Sequence, residues 1–515
     1  MATLTEQLTM LTEFIQPEAL TAAGVYRYRK EWADATWRRD GTRRHGINRV
    51  GAFIRNLTQE RPAWPTGWHT LGPVKVIQPT ERGAIAHASG GSVEIAFVAS
   101  DLVRVRYLPD CAPESSEPLG YAIDKPLDAW EIPEFRAIQA DHAYCLVTTD
   151  MIVGLSLEYP TLFIADGEGH LLRAGIDTAW GPNGEVSHRT ALAQEDRIFG
   201  LGERTTPANH RGGSHILWNQ DPAGYEPGDN PINFNIPVYV SAVSTADDQK
   251  RSYLVFYENP YYAEFDLGDA LDNVASHRFA GGELRYYLGV GPVPALVERY
   301  TELTGRHNLP PLWMLGYQQS RWSYMSETRL RKLAADFQEY DVPCDALYMD
   351  IDYMRGFRCF TWDRERFPTL DELARDLKEA GTKLVSMIDP GIKKDPQFDV
   401  YRDGIEGGYF CKTPDGQVFH APVSPGLCGF PDFPDPDVRA WWGTLYKDLV
   451  ETGITGFWND MNEPAAFAAP ETSTLPDAVQ HALERRGGDH RDRHNLYGMQ
   501  LVRATRAALE RPQPD

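Results

Sequence analysis

Six cysteines in 515 residues, with no CxxC spacing among Cys111, Cys145, Cys344, Cys359, Cys411 and Cys428, give neither a disulfide framework nor a zinc ribbon. They read as reduced thiols, and no metal is expected. Basic residues are also scarce. The formal net charge is -22, which excludes a basic face for nucleic acid or an anionic membrane. No apolar run approaches the ~18 residues a membrane helix needs. The first residues, "MATLTEQLTMLTEFIQPEAL", lack a basic stretch followed by an apolar one, so no signal peptide is legible. These absences predict a cytoplasmic chain. Its oligomeric state is not legible.

What is present is a folded chain, with 42% hydrophobic residues and length enough for more than one core. Residues 1–65 are charged and have no assignable structure. Residues 66–308 read as β. In "DLVRVRYLP", Val103, Val105 and Tyr107 alternate with Arg104 and Arg106, the period of a half-buried strand. "LFIADGEGHLLRAG" puts Asp166-Gly167 and Gly169 between apolar runs, a hairpin signal. "RSYLVFYENP" is a further strand. Many short strands and few helical windows predict a β-sandwich.

From 309 the pattern changes. "LGYQQSRW", "ALYMDIDY", "KLVSMIDPGI" and "ITGFWND" read as strands. Between them Leu330, Leu333, Ala334 and Phe337 have helical spacing. So do Leu373, Leu377 and Ala380, behind a capping box at Thr369–Glu372, and so do Val438, Trp442, Leu445 and Leu449. "NLYGMQLVRATRAALE" closes the series as a fourth helix. Alternating strands and helices predict parallel βα units, so residues 309–515 read as part of a (β/α)8 barrel.

Each strand ends in polar groups: Gln318, Gln319, Arg321 and Trp322; Asp350 and Asp352; Asp389; Asp460 and Glu463. In a parallel barrel these ends form one mouth, where catalytic residues gather. Carboxylates without a histidine or cysteine set suit either a metal or glycosidic chemistry, which needs two carboxyl groups around an oxocarbenium-like transition state. Trp322, Tyr324, Tyr353, Phe357, Phe360, Trp362, Phe457 and Trp458 lie beside the acids. Flat rings match a sugar face, and a hydrated metal has less use for them.

The segment Gly456–Pro464, "GFWNDMNEP", resembles the nucleophile signature of glycoside hydrolase family 31. "LGYQQSRWSY", "YMDIDYMRGFRCFTWD", "MIDPGI", "FPDF", "HNLYGMQLVRATR", "FGLGER" and "WNQDPAGYEPGDNPINFNIP" resemble the same family. The match runs over about residues 195 to 509. The resemblance implies a retaining α-glucosidase acting on oligosaccharides by double displacement, without metal or organic cofactor. Asp460 would be the nucleophile. Asp350 would bind the hydroxyls of the reacting sugar farthest from the scissile bond, and Trp322, Met387, Asp389, Trp458 and Met461 would line its subsite. Asp352, Asn462 and Glu463 would support them. "DMNE" favours glucose over the "KTDFGE"-like version of α-xylosidases.

Two departures stand out. Where the family has "VWPG" this chain reads Val423-Ser424-Pro425-Gly426, with a serine for an expected indole. The family's acid/base aspartate lies on later strands, so the resemblance implies no acid/base residue in this chain. Four βα units do not close a barrel of eight, and a truncated chain is expected. Three other readings stay open: a transglucosylase, a noncatalytic sugar-binding or regulatory protein, and a metal-dependent barrel enzyme.

Overall fold

The computed structural model describes residues 64–510, except 112–120, 140–142, 159, 194, 223, 245–249, 470–471 and 483–486. The segment 1–65, left unassigned above, therefore lies outside the described residues but for Trp64 and Pro65. The rest falls into two compact units. One takes Tyr225–Arg306 and the described residues before Asn219; the other takes Asn219–Gly224 and the described residues from His307 onward. The short excursion 219–224 leaves the segment that the sequence assigned to the β domain.

The first unit is a sandwich of an eight-stranded and a nine-stranded sheet, with antiparallel pairing within each. Alternation builds it. In Leu102–Pro109, Val103, Val105 and Tyr107 point inward and are buried, while Arg104 and Arg106 reach Glu94 on the outer face. The inner residues pack with Leu146, Val153, Ile164 and Leu172 of the other sheet in one core. The expected hairpin is present: Leu162–Asp166 pairs with Leu171–Trp180, and Asp166 Oδ1 accepts from the backbone N–H of Glu168 and His170 in the turn. Helix Val293–Thr304 covers the outer face of the eight-stranded sheet with Leu296 and Leu303.

In the second unit β1 (Gln318–Gln319), β2 (Ala346–Met349), β3 (Lys383–Ile388) and β4 (Gly456–Asn459) form a parallel sheet in sequence order. This is the βαβα progression of a TIM barrel, with four strands described. Helices α1 (Glu327–Glu339), α2 (Leu370–Glu379), α3 (Asp399–Glu406), α4 (Pro436–Thr444), α5 (Lys447–Glu451) and α6 (His494–Leu509) accompany it. Leu330, Leu373, Leu377, Trp442, Leu449 and Leu501 turn inward and share one core with Leu347, Leu384 and Ile388. Among the described residues no helix is long and apolar enough to cross a membrane.

Three local details differ from the sequence reading. The helix expected through Val438 and Leu449 is two helices, α4 and α5, separated at Leu445 and Tyr446. The capping box does not form. Thr369 makes no side-chain cap to α2; its hydroxyl donates instead to Glu327 Oε1 at 2.7 Å, and its N–H to Glu327 Oε2 at 3.0 Å. A buried carboxylate from α1 outcompetes the local partner. Finally, α3 and a hairpin, His420–Val423 with Gly426–Gly429, stand between β3 and α4 without having been expected.

Candidate active site

The parallel register sets which side chains share a face. Met387 of β3 pairs with Trp458 of β4, and Val385 with Gly456. Alternate residues share a side, so one step past the strand ends Asp389 joins Met387 and Asp460 joins Trp458. The intervening Asn459 points the other way, where Tyr446 and Thr505 donate to its Oδ1 at 3.2 and 3.1 Å. That anchor fixes the strand end from which Asp460 projects.

The nucleophile-signature turn is tightly built. Asp460 N–H donates to Ile388 O at 3.1 Å. Met461 adopts φ +54°, a left-handed conformation unfavourable for a non-glycine residue and held here by its neighbours. Asn462 Nδ2 donates to Asn459 O at 3.3 Å, and Ala465 N–H to Met461 O at 3.0 Å. A Cβ at Gly498 of α6 would lie 2.8 Å from Asn462 O, so only glycine lets the helix meet this turn. Asn462 is therefore a support of the turn, and Glu463 is buried behind it.

Asp350 caps the short 3-10 turn Ile351–Tyr353 and accepts from Ile351 N–H at 2.6 Å. Asp352 faces another way: its Oδ2 accepts from Trp322 Nε1 at 3.1 Å. Trp322 itself is 73% exposed, whereas Met387 is 3% exposed and belongs to the core cluster. Trp458 packs edge-on to Tyr348, with centroids 6.0 Å apart. A cavity of about 350 Å³ opens beside Ser320, Tyr348, Phe457 and Trp458. Ser424 is exposed at the tip of the His420–Gly429 hairpin, whose Val423 and Cys428 crowd against Gly391, two residues after Asp389.

The electrostatics tie the acids together. Burial pushes the Asp389 carboxyl well above the usual range, and Asp460, Asp350 and Glu463 add to the shift. Burial raises Asp460 too; the Met461 N–H opposes this, and the charges of Asp350 and Asp221 reinforce it. Asp350 is raised by burial and by Asp352, against the Ile351 N–H. Burial is the leading cause for all three, and the charges of Asp460 and Asp350 converge on Asp389, which disfavours its ionised form most. Asp389 is the most buried, and its Oδ1 has no hydrogen-bond partner among the described residues.

Asp221 was missed as a site residue, although its motif "WNQDPAGYEPG" was noted. Nothing in local sequence indicates that residues 219–224 belong to the barrel unit. Two groups among the described residues have metal-like spacing, Cys411–Asp432–His481 and Asp166–Glu168–His170. Neither includes the acids of the mouth, and in the second Arg251 Nε occupies Asp166 Oδ2 at 2.9 Å.

Comparison with known proteins agrees with this architecture. Residues 307–515 match the TIM-barrel domain of glycosyl hydrolases family 31, and residues 92–266 match that family's N-terminal galactose mutarotase-like domain. Alpha-glucosidase 2 of Bacillus thermoamyloliquefaciens is 35% identical over 445 residues, 86% of this chain and 55% of that protein. Neutral alpha-glucosidase C of Homo sapiens is 39% identical over 232 residues, 44% of this chain and 25% of that one. Among solved structures, a Flavobacterium johnsoniae dextranase of the same family, complexed with glucose, superposes with a TM-score of 0.78 at 24% identity, over 87% of this chain and 54% of its own. The chain thus spans about half the length of the bacterial relatives and a quarter of the human one. Two models of one family, matched in chain order over the sandwich and the parallel unit, show that the chain belongs to glycoside hydrolase family 31.

Proposed function

We propose that the mouth of the parallel sheet is the nucleophile side of a retaining α-glucosidase. The observation that carries this reading is the placement of Asp389, Asp460 and Asp350 on one strand-end face beside Trp458, where burial raises all three carboxyl groups. Asp389, the most buried, keeps its proton. That leaves the half-buried Asp460 as the anion that attacks the anomeric carbon and forms a covalent glycosyl ester, displacing the leaving group with its electron pair. Asp350 holds hydroxyls of the same sugar, and Asp389 and Met387 lie beneath it. Asp352 orients Trp322, and Asn462 and Glu463 brace the turn. None of the described carboxyl groups is assigned as general acid, so the leaving group must depart unaided or with help from a residue outside this set. The sugar is proposed to be a terminal α-linked glucose of an oligosaccharide. Six unpaired cysteines, four of them buried, support a reducing, cytoplasmic setting.

α-Glucosyl fluoride tests this, because fluoride leaves without a general acid. The chain should release fluoride and yield α-glucose first, as retention requires. Asp460→Ala should lower release by several orders of magnitude. Release of β-glucose, or an Asp460→Ala chain as active as wild type, overturns the assignment.

A further inference from the structure

Behind the nucleophile turn, three buried histidines stand in line between a carboxylate and a backbone carbonyl. Asp432 Oδ1 lies 2.6 Å from His481 Nδ1. His481 Nε2 lies 3.0 Å from His490 Nδ1, and His490 Nε2 lies 2.9 Å from His494 Nδ1. His494 Nε2 ends the line, 2.6 Å from Asn219 O. The three rings are 3%, 0% and 0% exposed.

Each of these gaps has hydrogen-bond length, and each therefore needs one proton. The far end fixes the direction. A carbonyl only accepts, so His494 Nε2 donates and its Nδ1 must accept. His490 Nε2 then donates and its Nδ1 accepts, so His481 Nε2 donates. Three neutral imidazoles have now used their three protons, and His481 Nδ1 would face a carboxylate bare. The line needs a fourth proton. Thr474 Oγ1, 3.3 Å from His494 Nδ1, does not supply one, because it donates to Pro464 O at 2.8 Å.

We propose that Asp432, His481, His490 and His494 form one proton-holding unit, with His481 an imidazolium paired to the Asp432 carboxylate, and that this unit positions the loop Asn219–Gly224. Such a pair has no net charge, which lowers the cost of burying it. The second oxygen of Asp432, Oδ2, accepts from Ala482 N–H at 2.6 Å, so both oxygens face donors. His490 and His494 are neutral, as their burial dictates; His494 is pushed down to about 3. The other titratable neighbours add no net charge. Burial holds the Cys411 thiol, 3.7 Å from His481 Nδ1, and the Tyr497 phenol well above their usual ranges, and Arg493 pairs with Asp492 at 2.6 Å.

The consequence reaches the site. Asn219 is gripped at both peptide groups by the start of α6: its O by His494, and its N–H by Asn495 Oδ1 at 2.9 Å. Two residues on is Asp221, whose charge raises Asp460. The link to catalysis rests on Asp460 being the nucleophile; the proton count does not.

Histidine imidazole NMR on the 15N-labelled full chain reads the count directly. His170, which faces Asp166 and Glu168, is removed as His170→Gln so that it cannot contribute a second imidazolium. At pH 8, where an ordinary histidine is neutral, one ring should carry protons on both nitrogens, and His490 and His494 should be Nε2–H tautomers. Asp432→Asn should abolish the doubly protonated ring; if that variant does not fold, the His170→Gln spectrum alone decides. No imidazolium at pH 8 overturns the proposal. So does one zinc per chain bound through Cys411, Asp432 and His481, since the metal would take the place of the proton on His481 Nδ1. The positioning claim is read by hydrogen exchange. Exchange over Asn219–Gly224 should quicken about tenfold in His494→Gln, the loss of about one hydrogen bond, with the sandwich peptides unchanged. An unchanged rate in this loop overturns it.

Discussion

Replacing Asp389 with asparagine should stabilise the chain at neutral pH and not at acid pH. Asp389 is 3% exposed, its Oδ1 has no hydrogen-bond partner among the described residues, and burial with three neighbouring carboxyl groups raises its pKa. The sign follows from linkage. Below about pH 4, the ordinary aspartate value, both folded and unfolded chains hold the proton, and aspartic acid and asparagine are nearly equivalent. As the pH rises, the unfolded chain ionises freely while the folded one resists. The unfolded state is thereby favoured, and the penalty grows until the folded carboxyl group itself ionises. Asparagine has the same shape and never pays it. Desolvating the ionised carboxylate costs about 1–3 kcal/mol or more, a penalty the amide does not share, and a unit of about 200 residues shifts its midpoint by about 2–4 °C per kcal/mol. Asp389→Asn should therefore raise the melting temperature by about 2–12 °C at pH 7, with the difference closing near pH 4. Thermal scans of both proteins at the two pH values suffice. No gain at pH 7, or the same gain at both, would refute the claim that Asp389 is forced to keep its proton.

Further outcomes follow from the same structure. Glu327→Gln should destabilise by about 1–3 kcal/mol at pH 7: burial opposes ionisation of Glu327, but Thr369 and Arg331 outweigh it and lower its pKa. That stability is present above about pH 4.3 and lost as the pH falls through the lower folded value, so the variant and wild type should converge in urea melts toward pH 3. Asp350→Ala should reduce kcat/KM on α-glucosyl fluoride by about 10–150-fold, corresponding to about 1.5–3 kcal/mol. Asp352→Ala should cost less, because its carboxylate holds the Trp322 indole; equal losses would erase the distinction between the two acids. Ser424→Trp should shift the kcat/KM ratio toward small α-glucosides over bulky ones, and an unchanged ratio would place the hairpin tip away from the sugar.

The parts of this fold that were legible in the sequence are those set by local periodicity. Val103, Val105 and Tyr107 announced a strand by alternation, and the acids after "ALYM", "KLVSMI" and "GFWN" marked strand ends because each breaks a short apolar run. What was not legible depends on partners far along the chain. Thr369 looked like a cap for its own helix, yet Glu327 on α1 takes its hydroxyl, and no window around Thr369 contains that carboxylate. Asp221 sits in a stretch of β-domain sequence and folds with the barrel unit. His490 and His494 are one helical turn apart, but His481 and Asp432 meet them only through the fold, and Asn219, which terminates their line, is 275 residues from His494. The roles given to Asp460 and Asp350 came from motif resemblance; geometry now adds a shared face and a shared field.

The central claim is that Asp460 becomes covalently attached to the sugar. Incubating the chain with 5-fluoro-α-glucosyl fluoride, whose second fluorine slows hydrolysis of the ester, and then digesting it for mass spectrometry tests that claim most directly. The account predicts one sugar on the peptide containing Trp458-Asn459-Asp460-Met461, located on Asp460 and absent from Asp460→Asn. A label on Asp350, Asp389 or Glu463, or no label at all, would contradict it.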